Sequence, residues 1–566
     1  MLNLKQALRE DITAGIAAAQ AAGELANTDE PVDVIVNRAD SAEHGDYASP
    51  VALALTKKVK KSPLDIVASI SKHMPKKEYI GKIEAAAPGF LNIRLNPGWL
   101  VARLDDLVEQ DICQSPSGGG QSINLEFISA NPTGPMTLGN ARVAFSVDTL
   151  ANVLACAGWN VTREYYINDA GAQIKKLGQS VVRRILQAQG ESVEFPEDMY
   201  QGDYIKDVAQ AIAETWRENE DKEFTKEDLA NDGVMKQVSQ QACEMLLADI
   251  KKTVQEDLRI TFNVWTSERT LRASGIVEEV VAKLRQKKHT YTKDGAEYLR
   301  TTTFGDTEDR VLIKKDKEYA YIAPDIGYHQ DKFNRQFDVI FTFVGPDHQG
   351  HAPKLRAAMA ALGNDIGKLH IVASAWMRFV SNGETIKLSK RKGNIVTPKD
   401  LISEVGYDPA RFFMVQHALA SHMDFDLDLA RERSDRNPVY YVQYAYVRLQ
   451  SIVRRAKEEG VIEAIGEDVA MSSQSLLTHN AEIELLRRLY QLPEVVGDIT
   501  RTFEVQSLAY YALDLAKTVH VFYKHAPVLG LDDKKLMASR LQLVVAARKV
   551  LGQTLDLLGL SKPDVM

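Results

Sequence analysis

The segment between residues 123 and 167 constrains the fold most strongly, because its pattern changes from strand to loop to helix to strand within one short stretch. Apolar residues alternate at Ile123, Leu125 and Phe127, as in a half-buried strand, and a loop rich in proline and glycine follows. A helix is expected from about Leu138 to Ala157, where Gly158 stops it, and VTREYYIN then predicts a second strand. The apolar face of that helix comprises Val143, Val147, Leu150 and Leu154. This βαβ order opens a doubly wound, Rossmann-type parallel sheet that binds nucleotides.

The chain should contain several domains, since its 566 residues far exceed the size at which one hydrophobic core keeps growing. The strand-like FLNIRL at Phe90–Leu95 lies among helical patterns that end at a PSGGG linker. Apolar runs at Val339–Val344 and His370–Ala373 predict further strands of the central sheet. The expected division is an N-terminal α+β domain at 1–115, a doubly wound catalytic domain at 116–435 with a helical insertion at about 175–260, and an all-α bundle at 436–566.

Composition is that of an ordinary globular protein, with 45% hydrophobic and 26% charged residues. No run of about 18 apolar residues occurs, so we expect no membrane span, and the first residues have no signal-peptide core. The cysteines Cys113, Cys156 and Cys243 form no CxxC pair, which favours the reducing cytoplasm and argues against a zinc site. A net charge of −8 is unusual for a nucleic-acid binder, but local basic clusters can still contact phosphates.

Two segments have patterns that suit phosphate chemistry. The first, SANPTGPMTLGNAR at Ser129–Arg142, joins the first strand to a helix, whose N-terminus presents free N–H groups and a partial positive charge. The second, KLSKRKGN at Lys387–Asn394, has four cations in six residues beside a glycine, which suits a loop that closes on a triphosphate. Taken singly, the first is also compatible with a plain strand-to-helix connection and the second with a solvated basic loop.

The pair resembles the HIGH and KMSKS signatures of class I aminoacyl-tRNA synthetases, and NPTGP followed by REYYINDAGAQI resembles the arginyl-tRNA synthetase family in particular. GDYASPVAL at Gly45–Leu53 and PGFLNIRL at Pro88–Leu95 resemble the family's domain that contacts the tRNA elbow. YVQYAYVRLQSI at Tyr441–Ile452 and the C-terminal LGLSKPDVM resemble its anticodon-binding helices. The resemblance also implies a region at about 395–435 that contacts the tRNA stem.

The HIGH-like segment departs from the family pattern, because Thr137 and Asn140 stand where the signature has two histidines. Both replacements keep a hydrogen-bond donor but lose any cationic form. Class I tryptophanyl enzymes carry a similar T-x-G-N, so we expect activity. The resemblance assigns catalysis to Thr137, Asn140, Lys387 and Lys390, and ATP binding to Pro132, Gly134, Pro135, Leu138, Gly139, Leu388 and Ser389.

A pocket for arginine should offer paired carboxylates and an aromatic face, because a guanidinium is planar, permanently charged and has five donors. The resemblance places Glu126 and Asp325 on the guanidinium and Tyr321 against its face. Each carboxylate alone could instead be solvated or cap a helix. Glu268 matches another family position. The other residues that the resemblance assigns to arginine are Ser129 and Asn131, at the α-amino end, and His348 and Gln349.

Contacts with tRNA are implied at both ends of the chain. Phe90 and Asn92 match positions that contact a D-loop nucleotide, the first by stacking and the second by hydrogen bonding. The residues implied at the anticodon loop are Tyr441, Tyr444, Arg448 and Met566. The first three have i, i+3 and i+7 spacing on one helix face, which suits splayed bases, although core packing is an alternative for Tyr441.

The resemblance therefore implies an enzyme that uses ATP, with Mg²⁺, to activate L-arginine and then esterifies it to tRNA(Arg). We expect a cytoplasmic monomer that needs neither zinc nor a membrane. Enzymes of this family generally form the adenylate only after tRNA binds, and we expect the same dependence here. Two alternatives stay open. One is a non-catalytic RNA-binding relative, indicated by the T-L-G-N sequence, and the other is a class I synthetase for another amino acid, whose pocket would lack Glu126 and Asp325.

Overall fold

The chain is described from a computed structural model that covers residues 2–28, 30–110, 118–220, 222–348, 350–386, 397–461 and 476–566, with the backbone alone at residues 42, 220 and 348. It divides into two compact units. The terminal unit comprises Met1–Ser117, Cys156–Gly158 and Ser434–Met566, and the central unit comprises Gly118–Ala155 and Trp159–Arg433.

The N-terminal part of the terminal unit is a small antiparallel sheet flanked by helices. Its strands are β1 (Asn37–Arg38), β2 (Tyr47–Ser49), β3 (Ile80–Ala86) and β4 (Phe90–Leu95), in the order β1-β2-β4-β3. Its helices are Leu4–Ala21, Val51–Val59, Pro63–His73, Pro97–Ala102 and Leu104–Glu109, with a short 3-10 turn at Ala42–His44. The strand expected at Phe90–Leu95 is therefore confirmed, and it lies in a larger sheet that the pattern did not predict.

The C-terminal part of the terminal unit is all-helical, as its spacing predicts. The described helices are Pro438–Glu458, Asn480–Leu489, Leu492–Thr502, Gln506–His525 and Lys534–Leu558. The two parts of the unit meet at Glu494, whose buried carboxylate accepts hydrogen bonds from the Tyr47 hydroxyl and from the Lys5 N–H at 3.2 Å. Arg38 Nη2 lies 3.4 Å from Glu494 Oε2. Both ends of the chain therefore share one buried polar centre.

The central unit is built on a five-stranded parallel sheet in the order β12-β11-β5-β6-β7. The strands of this unit are β5 (Ser122–Glu126), β6 (Asn160–Ile167), β7 (Val264–Ser267), β8 (Thr290–Lys293), β9 (Ala296–Leu299), β10 (Arg310–Ile313), β11 (Val339–Val344), β12 (Leu369–Ala373), β13 (Met377–Ser381), β14 (Glu384–Ile386) and β15 (Met423–Asp426). Strands β8 to β10 form one additional three-stranded sheet and β13 to β15 form another. The doubly wound fold class is thus confirmed.

Helices connect the parallel strands. The helices of the central unit are Leu138–Cys156, Ala172–Ala188, Tyr204–Glu220, Asp232–Lys252, Glu268–Ala273, Ile276–Gln286, Ile322–Asn334, His351–Leu362, Pro398–Val405, Tyr407–Val415 and Leu427–Arg431. The first of them joins β5 to β6, and the next three lie between β6 and β7 and share a hydrophobic core of their own. The insertion is therefore helical, as the periodicity indicates.

The strand order reverses between β5 and β11. From β5 the chain proceeds to β6 and β7 on one side of the sheet, and later to β11 and β12 on the other. In doubly wound sheets a crevice opens at such a point, outside the carboxyl ends of the strands, and ligands bind there. The carboxyl ends of β5 and β11 are therefore where the candidate site should be sought.

Three observations bear on the composition-based expectations. Each helix among the described residues is too short or too polar to cross a membrane. Within the same residues, no group of three or more His, Cys, Asp or Glu side chains is placed to share a metal ion. Cys243 is buried and free, whereas Cys156 is disulfide-bonded. This bond departs from the expectation of reduced cysteines, because pairing depends on which cysteines the fold brings together and not on their spacing in the sequence.

Candidate functional site

The candidate site begins at Glu126, the last residue of β5, whose register partner on β11 is Thr342. Two residues further along, Ile128 and Ser129 have positive φ angles of 68° and 40°. Residues with side chains rarely adopt these angles, and such strain concentrates at functional sites. The turn directs the Ser129 hydroxyl back to the strand end, with its Oγ 3.1 Å from Glu126 Oε1. The backbone thus places two of the expected arginine ligands side by side.

The Glu126 carboxylate is also bound by a residue that the sequence analysis did not name. Lys332 is fully buried, and its Nζ lies 2.6 Å from Glu126 Oε2. Thr342 Oγ1 lies 3.1 Å from both Lys332 Nζ and Glu126 Oε2. Charges at this depth are tolerated when they are paired and hydrogen-bonded. Lys332 and Glu126 therefore stabilise each other.

Asp325 lies in the first turn of the helix Ile322–Asn334, seven residues before Lys332 and on the same side of the helix. Its side chain is 31% exposed, and its Oδ2 lies 3.3 Å from His351 Nε2. Burial and the nearby Glu268 carboxylate raise the pKa of Asp325 to about 7, against the opposing effect of Lys354. A cation bound here would favour the ionised form. The structure thus provides a carboxylate whose charge depends on its ligand.

Tyr166 and Glu268 complete the surroundings of Asp325. Tyr166 stacks on Tyr328 with ring centroids 4.3 Å apart, and its buried hydroxyl has no hydrogen-bond partner among the described residues. Burial, followed by the charges of Glu268, Asp325 and Glu126, raises the pKa of Tyr166. Buried hydroxyls are usually satisfied. The free hydroxyl therefore marks a position where a polar ligand group would gain a hydrogen bond.

The other expected arginine ligands are more exposed. Tyr321 is 75% exposed, and its ring centroid lies 5.8 Å from Lys314 Nζ. Asn131 is also exposed, and its Oδ1 accepts a hydrogen bond of 2.7 Å from Asn168 Nδ2. The expected ligand Gln349 lies outside the described residues, as does the side chain of His348. The structure thus brings Glu126 and Ser129 into contact and leaves Tyr321 at the solvent.

The proline and glycine loop after β5 is held by the inserted helices. Tyr204 Oη donates a hydrogen bond of 2.8 Å to the Thr133 carbonyl oxygen. A Cβ atom on Gly134 would lie 2.9 Å from Tyr204 Oη, so a larger residue there would displace the Tyr204 side chain. Pro132 is buried, while Gly134 and Pro135 are partly exposed. Tyr204 therefore fixes the loop at Thr133, while Gly134 and Pro135 stay partly accessible to solvent.

Thr137 and Asn140 form a capping pair at the start of the helix Leu138–Cys156. Asn140 Oδ1 accepts hydrogen bonds of 2.9 Å from both the backbone N–H and the hydroxyl of Thr137. This is one half of a capping box. The amide nitrogen of Asn140 has no partner among the described residues and is left to donate outward. Leu138 is buried and Gly139 is exposed. The two residues that replace the histidines of the family signature are thus hydrogen-bonded to each other.

Arg142 lies further along the same helix, and the sequence analysis assigned it no role of its own. It is 1% exposed, and its guanidinium donates to the carbonyl oxygens of Ala375, Ala418 and Ser421 at 2.8, 3.0 and 2.5 Å. Burial lowers the pKa of Arg142 to about 10. This side chain joins the helix to the segments that follow β12 and precede β15. The expected residues Lys387, Leu388, Ser389 and Lys390 lie outside the described residues.

Phe90 and Asn92 lie two residues apart on β4, so their side chains are on the same face of the strand. Phe90 is partly buried, whereas Asn92 is 6% exposed. The buried Oδ1 atom of Asn92 has no hydrogen-bond partner among the described residues. An acceptor in this state is available to a ligand that can reach it.

Tyr441, Tyr444 and Arg448 are brought together on the helix Pro438–Glu458. Arg448 lies between two rings, with its Cζ 4.4 Å from the Tyr444 centroid and 4.6 Å from the Tyr523 centroid. His520 packs on Tyr441 with ring centroids 4.5 Å apart, and its Nδ1 lies 3.2 Å from Arg448 Nη1. His520 and Tyr523 come from a second helix, so local spacing could not reveal them. Met566 is 41% exposed.

Comparison with known proteins identifies the family. Three family profiles match the chain: the arginyl tRNA synthetase N terminal domain at residues 6–95, the class I (R) tRNA synthetase catalytic domain at 104–416 and the DALR anticodon binding domain at 442–566. The arginine–tRNA ligase of Geobacillus kaustophilus is 39% identical over 566 residues, which is all of this chain and 99% of that protein.

Solved structures agree with these matches. A Campylobacter jejuni chain provisionally assigned as an arginyl-tRNA synthetase has a TM-score of 0.73 and 28% identity, and the match covers 83% of this chain and 100% of that one. The Thermus thermophilus arginyl-tRNA synthetase has a TM-score of 0.77 over 100% of both chains, and at 21% identity this match supports the fold alone. On the catalytic profile and the full-length relative, the chain belongs to the class I arginyl-tRNA synthetase family.

Proposed function

We propose that this protein is an arginine–tRNA ligase. It activates L-arginine with ATP to form arginyl-adenylate and pyrophosphate, then transfers the arginyl group to the 3′-terminal ribose of tRNA(Arg) and releases AMP. The observation that carries the proposal is the buried placement of Glu126 beside Ser129 at the switch point of the sheet, with Asp325 on the adjoining helix, in a chain that matches curated arginine–tRNA ligases from end to end. Arginine is the amino acid whose side chain matches paired carboxylates best.

In the proposed reaction, the arginine carboxylate attacks the α-phosphate of ATP in line and pyrophosphate leaves. Mg²⁺ enters with ATP as part of the substrate. Catalysis depends on positioning and on charge stabilisation, so no covalent enzyme intermediate is required. Asn140, oriented by the Thr137 hydroxyl, donates to phosphate oxygens near the helix N-terminus, and Lys387 and Lys390 neutralise the developing charge. The ATP-binding residues are Pro132, Gly134, Pro135, Leu138, Gly139, Leu388 and Ser389.

Arginine lies at the carboxyl end of β5 in this proposal. Asp325 and Glu126 face the guanidinium, and the exposed Tyr321 closes over it. Support comes from the raised pKa of Asp325, which a bound cation would lower. Ser129 and Asn131 position the α-amino end, and His348 and Gln349 complete the pocket.

For tRNA, we assign the elbow to residues 1–115, the acceptor stem to about 395–435 and the anticodon loop to 436–566. Phe90 and Asn92 contact a D-loop nucleotide. Tyr441, Tyr444, Arg448 and Met566 contact the anticodon loop, where the cluster of rings around Arg448 offers stacking surfaces. The protein acts as a monomer in the cytoplasm.

Pyrophosphate exchange and tRNA charging test the proposal. We expect exchange between pyrophosphate and ATP with arginine when tRNA(Arg) is present, and charging of bulk tRNA with arginine alone among the twenty amino acids. Absence of exchange with every amino acid, despite bound tRNA, would identify a non-catalytic RNA-binding relative. Charging with a different amino acid would identify another class I specificity.

A further inference from the structure

Lys332 is the one lysine that is fully buried among the residues whose side chains are described. Its ammonium group donates to Glu126 Oε2 at 2.6 Å and to Thr342 Oγ1 at 3.1 Å. It also lies 4.5 Å from the centroid of the Tyr328 ring, within the range of a cation–π contact. All of these partners lie at or beside the carboxyl ends of β5 and β11. The lysine therefore belongs to the floor of the candidate arginine pocket.

Glu126 depends on this lysine for a hydrogen bond to its Oε2 atom. The Nδ1 atom of His329 lies 2.9 Å from the Asp325 carbonyl oxygen, so Nδ1 carries a proton. Burial, and then the Lys332 charge, lowers the pKa of His329 well below its usual range, so the ring is neutral and its Nε2 is an acceptor. Thr342 Oγ1 lies 3.0 Å from that Nε2 and 3.1 Å from Glu126 Oε2, and its single proton can serve only one of them. Lys332 therefore donates to Glu126 Oε2 whichever way the Thr342 hydroxyl points.

The hydrogen bonds that Glu126 already accepts limit the number that it can accept from a substrate. A carboxylate has about four acceptor positions. Lys332 and Thr342 approach Oε2, and Ser129 donates to Oε1. One position on Oε1 remains for a guanidinium. The charges of Glu126 and Lys332 cancel, so this pair contributes orientation and one acceptor position but little net attraction.

Asp325 has no lysine or arginine in contact among the described residues, and its Oδ2 lies 3.3 Å from His351 Nε2. Burial, Glu268 and Glu126 act to raise its pKa, while Lys354 and Arg272 act to lower it. The charged and titratable groups near Asp325 come from strands and helices. The strands contribute Glu126 on β5 and Glu164 and Tyr166 on β6. The helices contribute Glu268 and Arg272 after β7, Asp325, Tyr328, His329, Lys332 and Arg335 on or next to the helix Ile322–Asn334, and His351 and Lys354 on the following helix. Glu164 is paired with Arg335 at 2.9 Å and Glu268 with Arg272 at 2.6 Å.

We propose that Lys332 is a positioning residue for arginine: it holds the Glu126 carboxylate in one orientation and cancels its charge, which leaves Asp325 as the carboxylate that attracts the guanidinium. The inference rests on the proposed function and assigns different roles to the two carboxylates of the arginine pocket. Without the lysine, two uncompensated carboxylates would share the pocket. Like charges at short range keep one of them protonated near neutral pH.

The test measures arginine binding to the full-length protein by calorimetry between about pH 5.5 and pH 9. Lys332→Gln removes the charge, Lys332→Arg keeps it, and the double variant Glu126→Gln with Lys332→Gln restores a neutral pair. Lys283→Gln is the matched control. Lys283 lies on the neighbouring helix Ile276–Gln286, is 45% exposed and is paired with Glu279 of the same helix. Each pH series gives the midpoint at which arginine affinity is lost on acidification.

Lys332→Gln should raise that midpoint by about one pH unit or more, so that affinity at pH 7 falls about tenfold and recovers near pH 9. Lys332→Arg and the control should keep the wild-type midpoint, and the double variant should not raise it, whatever its affinity, because Glu126 no longer repels Asp325. A weakening of the same size at every pH would assign Lys332 a merely structural role and overturn the inference. If Lys332→Gln does not fold, a raised midpoint in the double variant would do the same. Failure of the wild-type protein to bind arginine at any pH would instead refute the proposed function, and this inference with it.

Discussion

Replacing Asp325 with asparagine tests the arginine pocket most directly. The substitution keeps the size and shape of the side chain and removes its negative charge. Asp325 Oδ2 lies 3.3 Å from His351 Nε2, and the guanidinium forms at least one charge-assisted hydrogen bond with the remaining acceptor positions of the carboxylate. Such a bond contributes about 1.5 to 3 kcal/mol. The arginine dissociation constant should therefore rise roughly ten- to 150-fold.

The assay is equilibrium binding of arginine, followed by pyrophosphate exchange with tRNA present over a range of arginine and ATP concentrations. We expect the KM for arginine to rise while the KM for ATP changes little. Asp331→Asn is the matched control, because Asp331 lies on the same helix with its side chain 35% exposed. An unchanged dissociation constant for arginine in Asp325→Asn, with the fold intact, would show that Asp325 does not bind the guanidinium.

Five further results are expected. The pKa of Asp325 is raised to about 7, so the protein without arginine should lose folding free energy as the pH rises from about 4 to 7 and this side chain ionises. Arginine binds the ionised form. Its affinity should therefore fall below pH 7, and the thermal stabilisation that it gives should be largest above pH 7. Glu494→Ala leaves the buried Tyr47 hydroxyl without its acceptor and should lower the free energy of unfolding in urea by about 1 to 3 kcal/mol. Thr137→Ala removes the hydroxyl that orients Asn140 and should slow pyrophosphate exchange while arginine binding, measured separately, is retained. Exchange should require tRNA, and equal rates without it would disprove the coupling. A chain that ends before Asn437 should keep arginine binding and lose the tRNA effect.

Local patterns in the sequence determined the elements that form the catalytic sheet. The alternation at 123–127 marks β5, the apolar run at Val339–Val344 matches β11 residue for residue, and the helix expected from about residue 138 runs from Leu138 to Cys156. These predictions succeed because hydrophobic periodicity reports which face of an element is buried, and that depends on near neighbours in the chain. The assignment of Glu126, Ser129 and Asp325 to arginine came from the family resemblance of short segments, and it stays a prediction.

Only the tertiary structure decided the partners of those residues. Lys332 reaches Glu126 across 206 positions in the chain, and the Tyr47 hydroxyl reaches Glu494 across 447. Nothing in the neighbourhood of Glu126 distinguishes a free carboxylate from one paired with a buried ammonium group. The raised pKa of Asp325 has the same origin, since it comes from burial and from Glu268 on another helix. A sequence pattern specifies the side of an element on which a charge lies, whereas its solvation and its counter-ion are set by elements that the fold brings there from elsewhere.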